Sequence, residues 1–223
     1  MNWTVSFLKQ MSIKVENLRF PSIGIRRHRI VTDSFGVTTL VAAHGCTLRC
    51  RHCLNPQCFQ TKEAAAVYTL ESLLEKVKID DLYFQATGGG IVFGGGEPLL
   101  YADYIHAFKS LCPSSWKLSL ETSLALPQIK LLQVIDDIDY FIVDIKDMHP
   151  AVYKAYTGSS PDNMLANLAY LKSHVPADHI RIRVPLIPAY NTPEDQADSV
   201  HILQAMGFQN IETFSYVIRE NLS

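Results

Sequence analysis

Three cysteines lie close together in one short stretch of the chain. Cys46, Cys50 and Cys53 are separated by three and then by two residues, so one loop could place three thiolates around one inorganic centre. Thiolates suit both iron-sulfur clusters and zinc. A [4Fe-4S] cluster with three protein ligands would keep one iron open for a small molecule, whereas zinc could take His44 or His52 as a fourth ligand and form a closed site. Ordinary reduced thiols are a third interpretation, and spacing alone does not decide among them.

Apolar, β-branched runs alternate with amphipathic segments along most of the chain. This alternation predicts βαβ units with a parallel sheet and outer helices. Six strands are expected, at 37–43, 91–93, 117–120, 139–144, 180–185 and 211–216. The helices between them are expected at 70–78 behind a Thr69 N-cap, and at 101–111, 127–135, 151–156, 162–173 and 193–206.

The predicted fold is a single α/β domain over residues 1–223. Residues 1–36 form an N-terminal lead-in with one strand near 29–32, and residues 37–216 form the core. Six units are too few to close an eight-stranded barrel. We therefore expect a partial (β/α)6 TIM-like barrel, with a curved parallel sheet open at its edges.

The composition and charge of the chain argue against some classes of protein. The chain has 223 residues, 48% of them hydrophobic, and a formal net charge of −2. A balanced charge without a long basic run argues against general nucleic-acid binding. No apolar run approaches the roughly 20 residues that span a bilayer, and residues 1–11 lack the features of a secretory signal. We expect a cytoplasmic protein with no membrane contact, whose five cysteines stay reduced.

Polar residues follow the predicted strands at the rim where parallel strands end together. Ligand sites collect at that rim in barrels and in open parallel sheets. A glycine run could let a ligand lie against backbone, but a tight turn is the simpler interpretation. We expect Asp144 and Lys146 to face opposite sides of the sheet, and Asp144 is as well explained as a paired structural carboxylate. The rim residues are Gly95, Gly96, Glu97, Glu121, Thr122, Asp144, Lys146 and, within the fifth strand, Arg183.

The order of these motifs resembles the radical S-adenosylmethionine (radical SAM) superfamily, and most of all the compact glycyl-radical-enzyme activases. The resemblance covers residues 33–192. Its motifs are Cys-Thr-Leu-Arg-Cys-Arg-His-Cys at 46–53, Gly-Gly-Glu-Pro at 95–98, Leu-Glu-Thr at 120–122, Asp-Ile-Lys at 144–146, Tyr-Thr-Gly at 156–158, Asn-Leu at 167–168 and Arg183 with Pro188.

The resemblance implies a role for each matching residue. Cys46, Cys50 and Cys53 would ligate a [4Fe-4S] cluster whose open iron is chelated by S-adenosylmethionine. At the rim, Gly95, Gly96 and Glu97 would hold the cofactor's amino group, and Lys146 and Arg183 would place its carboxylate or ribose. Glu121, Thr122 and Asp144 would lie beside the cofactor, where a monovalent cation can bind. His52 would lie near the adenine.

The function implied is reductive cleavage of S-adenosylmethionine to a 5′-deoxyadenosyl radical, which would abstract hydrogen from a glycine of a glycyl radical enzyme. A flavodoxin- or ferredoxin-type protein would be the reductant, and the open iron would make the protein oxygen-sensitive. Two alternatives remain: a radical SAM enzyme acting on a small molecule or another peptide, and a non-catalytic zinc-binding protein that docks a partner.

The sequence departs from the activase pattern in three places. Residues 33–38 read Asp-Ser-Phe-Gly-Val-Thr where activases carry Asp-Gly-Pro-Gly-x-Arg. Only Cys58 follows the cysteine loop before the glycine run, so we expect one cluster. Residues 214–219 lack the histidine that contacts the cofactor in compact activases, and the resemblance leads us to expect a short end where those activases dock their partner.

Overall fold

The computed structural model describes residues 15–30, 35–61 and 65–216. Within these ranges, eight strands form one sheet: β1 Phe20–Arg29, β2 Thr38–Ala43, β3 Ala66–Tyr68, β4 Gly90–Gly95, β5 Lys117–Thr122, β6 Tyr140–Asp144, β7 Ile180–Leu186 and β8 Ile211–Ser215. They lie in the order β3-β1-β2-β4-β5-β6-β7-β8. The six strands from β2 to β8 in that order are all parallel, which confirms the expected α/β sheet, and the sheet does not close on itself.

Seven α-helices occur in the described ranges and connect these strands. They are α1 Leu70–Lys78, α2 Asp81–Thr87, α3 Ala102–Lys109, α4 Gln128–Leu132, α5 Pro150–Thr157, α6 Asp162–His174 and α7 Pro193–Ala205. Thr69 caps α1 by accepting a hydrogen bond from the amide of Ser72, as its position predicts. Thr192 and Asp195 form a reciprocal capping box at the start of α7. The short helix α2 was not expected.

The lead-in contributes more structure than the sequence suggested. Its strand is the ten-residue β1, which ends where the prediction placed the strand's beginning; residues 31–34 lie outside the described ranges. β1 pairs antiparallel with β2 on one side and with β3 on the other. Its alternation is interrupted by a bulge between Arg26 and Arg29, which explains why no clear period is visible in the sequence.

Alternation along the parallel strands separates the core from the site. Every second residue, such as Leu120, Phe141 and Val143, is fully buried in the hydrophobic core. The residues between them include Glu121 and Asp144, which belong to the other face. Strand periodicity thus delivers charged side chains to one cavity while the opposite face packs against the rest of the core.

No helix among the described residues is long and apolar enough to cross a membrane.

Candidate functional site

The cysteine loop begins directly after β2 and is held in place by backbone hydrogen bonds. The amides of Arg49 and Arg51 donate to the carbonyl oxygens of Thr157 and Tyr156, at 2.9 and 3.1 Å. The loop therefore rests on the C-terminal end of α5. This contact gives the Tyr-Thr-Gly motif at 156–158 a structural role, because its carbonyl groups anchor the loop.

All three cysteines of the motif line one cavity of about 330 Å³ at the C-terminal ends of the parallel strands. The cavity also takes in the rim residues of the neighbouring strands. Its polar lining includes Arg29, Asn55, Gly95, Gly96, Glu121, Thr122, Ser123, Asp144, Lys146, Arg183 and Tyr216. The structure thus brings together ten of the twelve predicted site residues; the exceptions are Glu97 and His52.

Four charged groups form a network on the cavity wall. Arg183 donates from Nε to Asp144 Oδ1 and from a terminal nitrogen to Glu121 Oε1, both at 2.6 Å. Lys146 Nζ lies 3.4 Å from Asp144 Oδ2. The expectation that Asp144 and Lys146 face opposite sides is wrong, because residues two apart in extended backbone share a face.

The network fixes the ionisation of its members. Burial disfavours the ionised carboxyl of Asp144, but Lys146 and Arg183 outweigh burial and hold the pKa of Asp144 below its ordinary value. Burial acts against the charged form of Lys146 as well, yet Asp144 raises the pKa of that amine. Asp144 is therefore an anion and Lys146 a cation at neutral pH.

Glu121 is the least satisfied member of the network. Its Oε2 atom is buried without a hydrogen-bond partner, and it lies 3.9 Å from a guanidinium nitrogen of Arg29. A buried carboxylate oxygen without a donor is costly unless something binds to it. This atom is therefore the wall's available acceptor for an amino group or a cation.

The thiols differ in acidity. Burial, followed by the nearby Glu97 carboxylate, raises the pKa of Cys46 to about 12. Burial also raises the pKa of Cys50, whereas a hydrogen bond from the Cys58 thiol lowers the pKa of Cys53 to about 6. Two of the three sulfurs must therefore lose protons when they bind a metal centre.

Protein packing accounts for the glycine run. A methyl group on Gly96 would lie 2.1 Å from the carbonyl oxygen of Gly45, and one on Gly95 would lie 2.6 Å from the side chain of Ala42. Gly95 also has a φ of +90°, which favours glycine. Asn55 Nδ2 donates to the Gly95 carbonyl oxygen at 2.9 Å. The run therefore forms the tight turn against which the cysteine loop packs.

Glu97 turns away from the cavity. It is 1% exposed, and its carboxylate accepts hydrogen bonds from Thr122 Oγ1 at 2.7 Å, from Ser123 Oγ at 2.6 Å and from the amides of Ser123 and Leu99. Burial raises the pKa of Glu97. The carboxylate thus connects the end of β4 to the end of β5, and its oxygens already have partners.

The two histidines of the loop region lie outside the cavity that the three cysteines share. His44 is buried, with Nε2 2.9 Å from the Gln60 carbonyl oxygen. His52 packs among the rings of Tyr156, Tyr190 and Tyr216 and lines an adjoining cavity. Neither ring is placed to complete a zinc site with all three thiols.

Four further polar residues of the cavity received no role from the sequence: Arg29, Asn55, Ser123 and Tyr216. Arg29 was assigned to the lead-in, and only the bulge in β1 brings it to the cavity. Asn55 lies two residues beyond the cysteine motif and Tyr216 at the end of the last predicted strand, and neither gave a chemical signal of its own. Of the departures from the activase pattern, residues 33–34 and 217–219 lie outside the described ranges.

Comparison with known proteins identifies the family. The model of the radical SAM superfamily matches residues 40–221, and this chain belongs to that family. Its partial barrel also occurs in solved structures. SuiB of Streptococcus suis, bound to its precursor peptide SuiA, superposes with a TM-score of 0.60 at 14% identity, over 85% of this chain and 41% of that one. At that identity the likeness concerns the fold alone.

Curated relatives are activating enzymes. The chain is 34% identical over 170 residues to the (2S)-3-sulfopropanediol dehydratase activating enzyme of Klebsiella oxytoca, over 74% of this chain and 52% of that one. It is 26% identical over 190 residues to the pyruvate formate-lyase-activating enzyme of Staphylococcus aureus, over 82% and 74%. The chain spans about half the length of several of these relatives.

The residues that line this cavity fit the cofactors that radical SAM proteins use. Radical SAM proteins use S-adenosylmethionine and a [4Fe-4S] cluster, and here three thiols share one cavity with a carboxylate oxygen that has no hydrogen-bond partner. Within the described ranges, no three His, Cys, Asp or Glu side chains converge on a single ion position. Since a closed zinc site needs four such ligands around one ion, the described residues do not form one.

Proposed function

We propose that this chain reductively cleaves S-adenosylmethionine and thereby generates a radical that takes hydrogen from a glycine of a glycyl radical enzyme. The observation that carries the proposal is the cavity in which Cys46, Cys50 and Cys53 meet the charge network of Asp144, Lys146 and the strand residues beside them. The activating enzymes among the relatives support the glycine as the hydrogen donor.

The three cysteines would hold a [4Fe-4S] cluster with one iron open. When bound and reduced, that cluster supplies one electron to the sulfonium of S-adenosylmethionine, and cleavage of the C5′–S bond gives methionine and the 5′-deoxyadenosyl radical. The protein's part is to position the sulfonium and to exclude water. The loop anchored on α5 is suited to this, because its sulfurs lie on a rigid support.

The charged residues of the cavity wall differ in how many hydrogen-bond donors or acceptors they have left for the cofactor. Lys146 has a single carboxylate partner at 3.4 Å, so its amine retains donors for the carboxylate of the methionine moiety. Arg183 already uses two nitrogens on Asp144 and Glu121, so we assign it chiefly to orienting those carboxylates. Glu121 Oε2 would accept the amino group or a monovalent cation.

Gly95, Gly96 and Glu97 would lie behind the cofactor's amino group and would not bind it through their amides or the Glu97 carboxylate. The Gly96 and Glu97 amides donate to the Ala43 and Gly45 carbonyl oxygens, and the Glu97 carboxylate has its own partners. We therefore assign this turn the task of shaping the wall. Thr122 and Asp144 remain beside the cofactor, and His52, in the adjoining cavity, remains the candidate for the adenine.

The partners proposed are a glycyl radical enzyme as protein substrate and a flavodoxin- or ferredoxin-type reductant. All five cysteines are free, and a reducing, cytoplasmic compartment would keep the cluster ligands available. Because the match covers only about half the length of the first of these relatives, the identity of the substrate must come from experiment.

The test is anaerobic reconstitution with iron and sulfide, reduction with dithionite, addition of S-adenosylmethionine and assay for 5′-deoxyadenosine. We expect the nucleoside together with about four irons per chain. A glycyl-radical signal in electron paramagnetic resonance, after mixing with a candidate glycyl radical enzyme, would establish the activase role. Nucleoside without that signal for any such partner would favour a small-molecule or peptide substrate. Bound zinc without nucleoside would contradict the proposal.

A further inference from the structure

A second cavity of about 870 Å³ opens beside the cysteine cavity. The two share lining residues that include Cys50, Cys53 and Glu121. A group that enters the second cavity therefore comes directly against the proposed radical site. Any substrate from which hydrogen is taken must reach this position.

Three guanidinium groups line the second cavity: those of Arg26, Arg29 and Arg51. Arg29 lies 3.9 Å from Glu121, whose other oxygen is held by Arg183. Arg26 and Arg51 are exposed, and neither side chain makes a hydrogen bond or ion pair with any residue in the described part of the chain. Within the described part of the chain, the cavity therefore presents two guanidinium groups, those of Arg26 and Arg51, that have no carboxylate partner.

A β-bulge places two of these arginines on the same wall. In a regular strand Arg26 and Arg29 would face opposite sides, since they are three residues apart. In the register with β2, Arg26 is opposite Leu40 and Arg29 is opposite Thr38, so β1 carries one extra residue. Bulges redirect side chains and are frequent near active sites.

Contacts with Asp80 hold two residues of the bulge, Arg27 and His28, in place. His28 has a φ of 54°, an uncommon conformation for a residue with a Cβ. Its Nε2 lies 3.2 Å from Asp80, a buried carboxylate that also binds Arg27 and accepts from Thr39 Oγ1 at 2.7 Å. Asp80 therefore fixes the bulge that turns the other two arginines toward the cavity.

We propose that this arginine-lined cavity, defined by Arg26, Arg29 and Arg51, binds acidic side chains of the polypeptide that carries the target glycine. The inference rests on the proposed function and adds the chemical character of its substrate. Guanidinium groups bind carboxylates with paired, charge-assisted hydrogen bonds. Arg26 and Arg51 have such donors available.

The rest of the lining favours a polypeptide over a small acid. Leu54 is 48% exposed and Phe59 is 37% exposed, and both line the cavity next to the arginines. Exposed apolar side chains beside charged ones match a chain segment with mixed residues, and the volume lies near the upper end of the range for small-molecule pockets. A small anion would leave most of this surface uncovered.

The test measures peptide binding by the cluster-reconstituted, full-length protein. The probe is a fluorescein-labelled peptide with a central glycine flanked by glutamates, and its counterpart carries glutamine at the same positions. Fluorescence anisotropy gives both affinities for the wild type, Arg26→Gln, Arg51→Gln and Arg26→Lys. Arg19→Gln is the matched control: it removes the same charge from an exposed residue next to β1, whose guanidinium donates to the carbonyl oxygens of Glu16 and Leu18.

We expect each glutamine variant to bind the acidic peptide about fivefold more weakly, and we expect Arg19→Gln to stay close to the wild type. Arg26→Lys should fall between the wild type and Arg26→Gln, because an amine keeps the charge but cannot form the paired hydrogen bonds of a guanidinium. The wild type should prefer the glutamate peptide to the glutamine peptide, and added salt should reduce that preference. Because binding is measured without turnover, this result does not depend on whether nucleoside forms.

Three results would overturn the proposal. One is equal binding of the acidic and glutamine peptides, or an absence of binding to either. Another is displacement of the labelled peptide by millimolar free glutamate, which would assign the cavity to a small acid. The third is a loss of 5′-deoxyadenosine formation without peptide that matches the loss of affinity, which would place the arginines on the cofactor. Failure of the proposed function itself would appear separately, as an absence of nucleoside in the wild type.

Discussion

Arg183 Nε donates to Asp144 Oδ1 at 2.6 Å, and the two residues are direct partners in the register of β6 and β7. The ion pair is therefore a consequence of strand pairing: once the hydrophobic faces of the two strands are buried, these side chains must meet on the opposite face. The same arginine reaches Glu121 on β5, so one guanidinium joins three adjacent strands at the wall of the cavity.

Cys50→Ala should abolish both the cluster and the cleavage of S-adenosylmethionine, because two thiolates cannot hold the cluster that three would bind. Iron content, visible absorbance and 5′-deoxyadenosine after anaerobic reconstitution are the measurements. Cys112→Ala is the matched control, since Cys112 is half-buried, packs against the core and lies outside the cavity. Nucleoside formation by the Cys50 variant would refute the assignment of the cysteines.

Lys146→Ala should weaken binding of S-adenosylmethionine roughly tenfold while the cluster's absorbance is retained, because a charge-assisted contact to the cofactor's carboxylate is lost. Equilibrium dialysis with the reconstituted protein measures the affinity. Lys154→Ala, which removes the same charge from an exposed position on α5, should have no effect. A Lys146 variant that cannot hold iron would show instead that the amine supports the cysteine loop.

Glu97→Ala should lower the free energy of unfolding by about 3 kcal/mol, because four donors inside the protein lose their acceptor. Thr122→Val removes one of those donors and should cost about 1 kcal/mol. Urea unfolding of the chain without iron, followed by circular dichroism, compares the two. Equal stability of Glu97→Ala and the wild type would mean that the carboxylate is a ligand and has little structural role.

Stability should fall below about pH 4 in part through Asp139. Burial alone would raise the pKa of Asp139, but the Leu118 amide at 2.9 Å, with Lys117 and Lys109, holds that pKa below its ordinary value of 3.8. The folded state therefore favours the ionised carboxylate. The stabilisation is complete above the unfolded-state pKa and is lost as the pH falls through the lower, folded-state pKa.

Urea unfolding between about pH 5 and pH 3 tests this linkage. Asp139→Asn should be less stable than the wild type at the upper end of the range, and its stability should decline less as the solution becomes more acidic. Asp178→Asn, at an exposed position, should follow the wild type throughout. Parallel pH profiles for Asp139→Asn and the wild type would exclude Asp139 as a contributor.

The parallel core could be predicted because the local sequence of its strands indicates β-structure. Apolar residues are contiguous in β4 and β6 and alternate with polar ones in β7, and the residues that follow these strands lie at one rim. The strand β1 carries a weaker signal: it contains Pro21 and Gly24 and is interrupted by a bulge. It is held by pairing with β2 and β3, and pairing partners are not visible in the strand's own sequence.

The sequence predicted which residues belong to the site better than it predicted how their side chains are oriented. The cysteine spacing and the rim positions identified ten residues of one cavity. The inward turn of Glu97 depends on Thr122 and Ser123, which lie 25 and 26 residues further along the chain, and no local pattern encodes such a contact. The placement of Arg29 depends in the same way on how β1 pairs with β2.

The open edge of the sheet has a mechanical consequence for the cavity. Arg29 on β1 and Phe214 on β8 both line it, yet they lie near opposite ends of the strand order. In a closed barrel, hydrogen bonds would fix the circumference and with it the width of the opening. Here the distance between these two side chains is set by the curvature of the sheet, so a slight flattening widens the mouth and leaves every strand pair intact. We therefore expect any change in the width of this opening to be accompanied by bending of the sheet and not by the breaking of strand pairs.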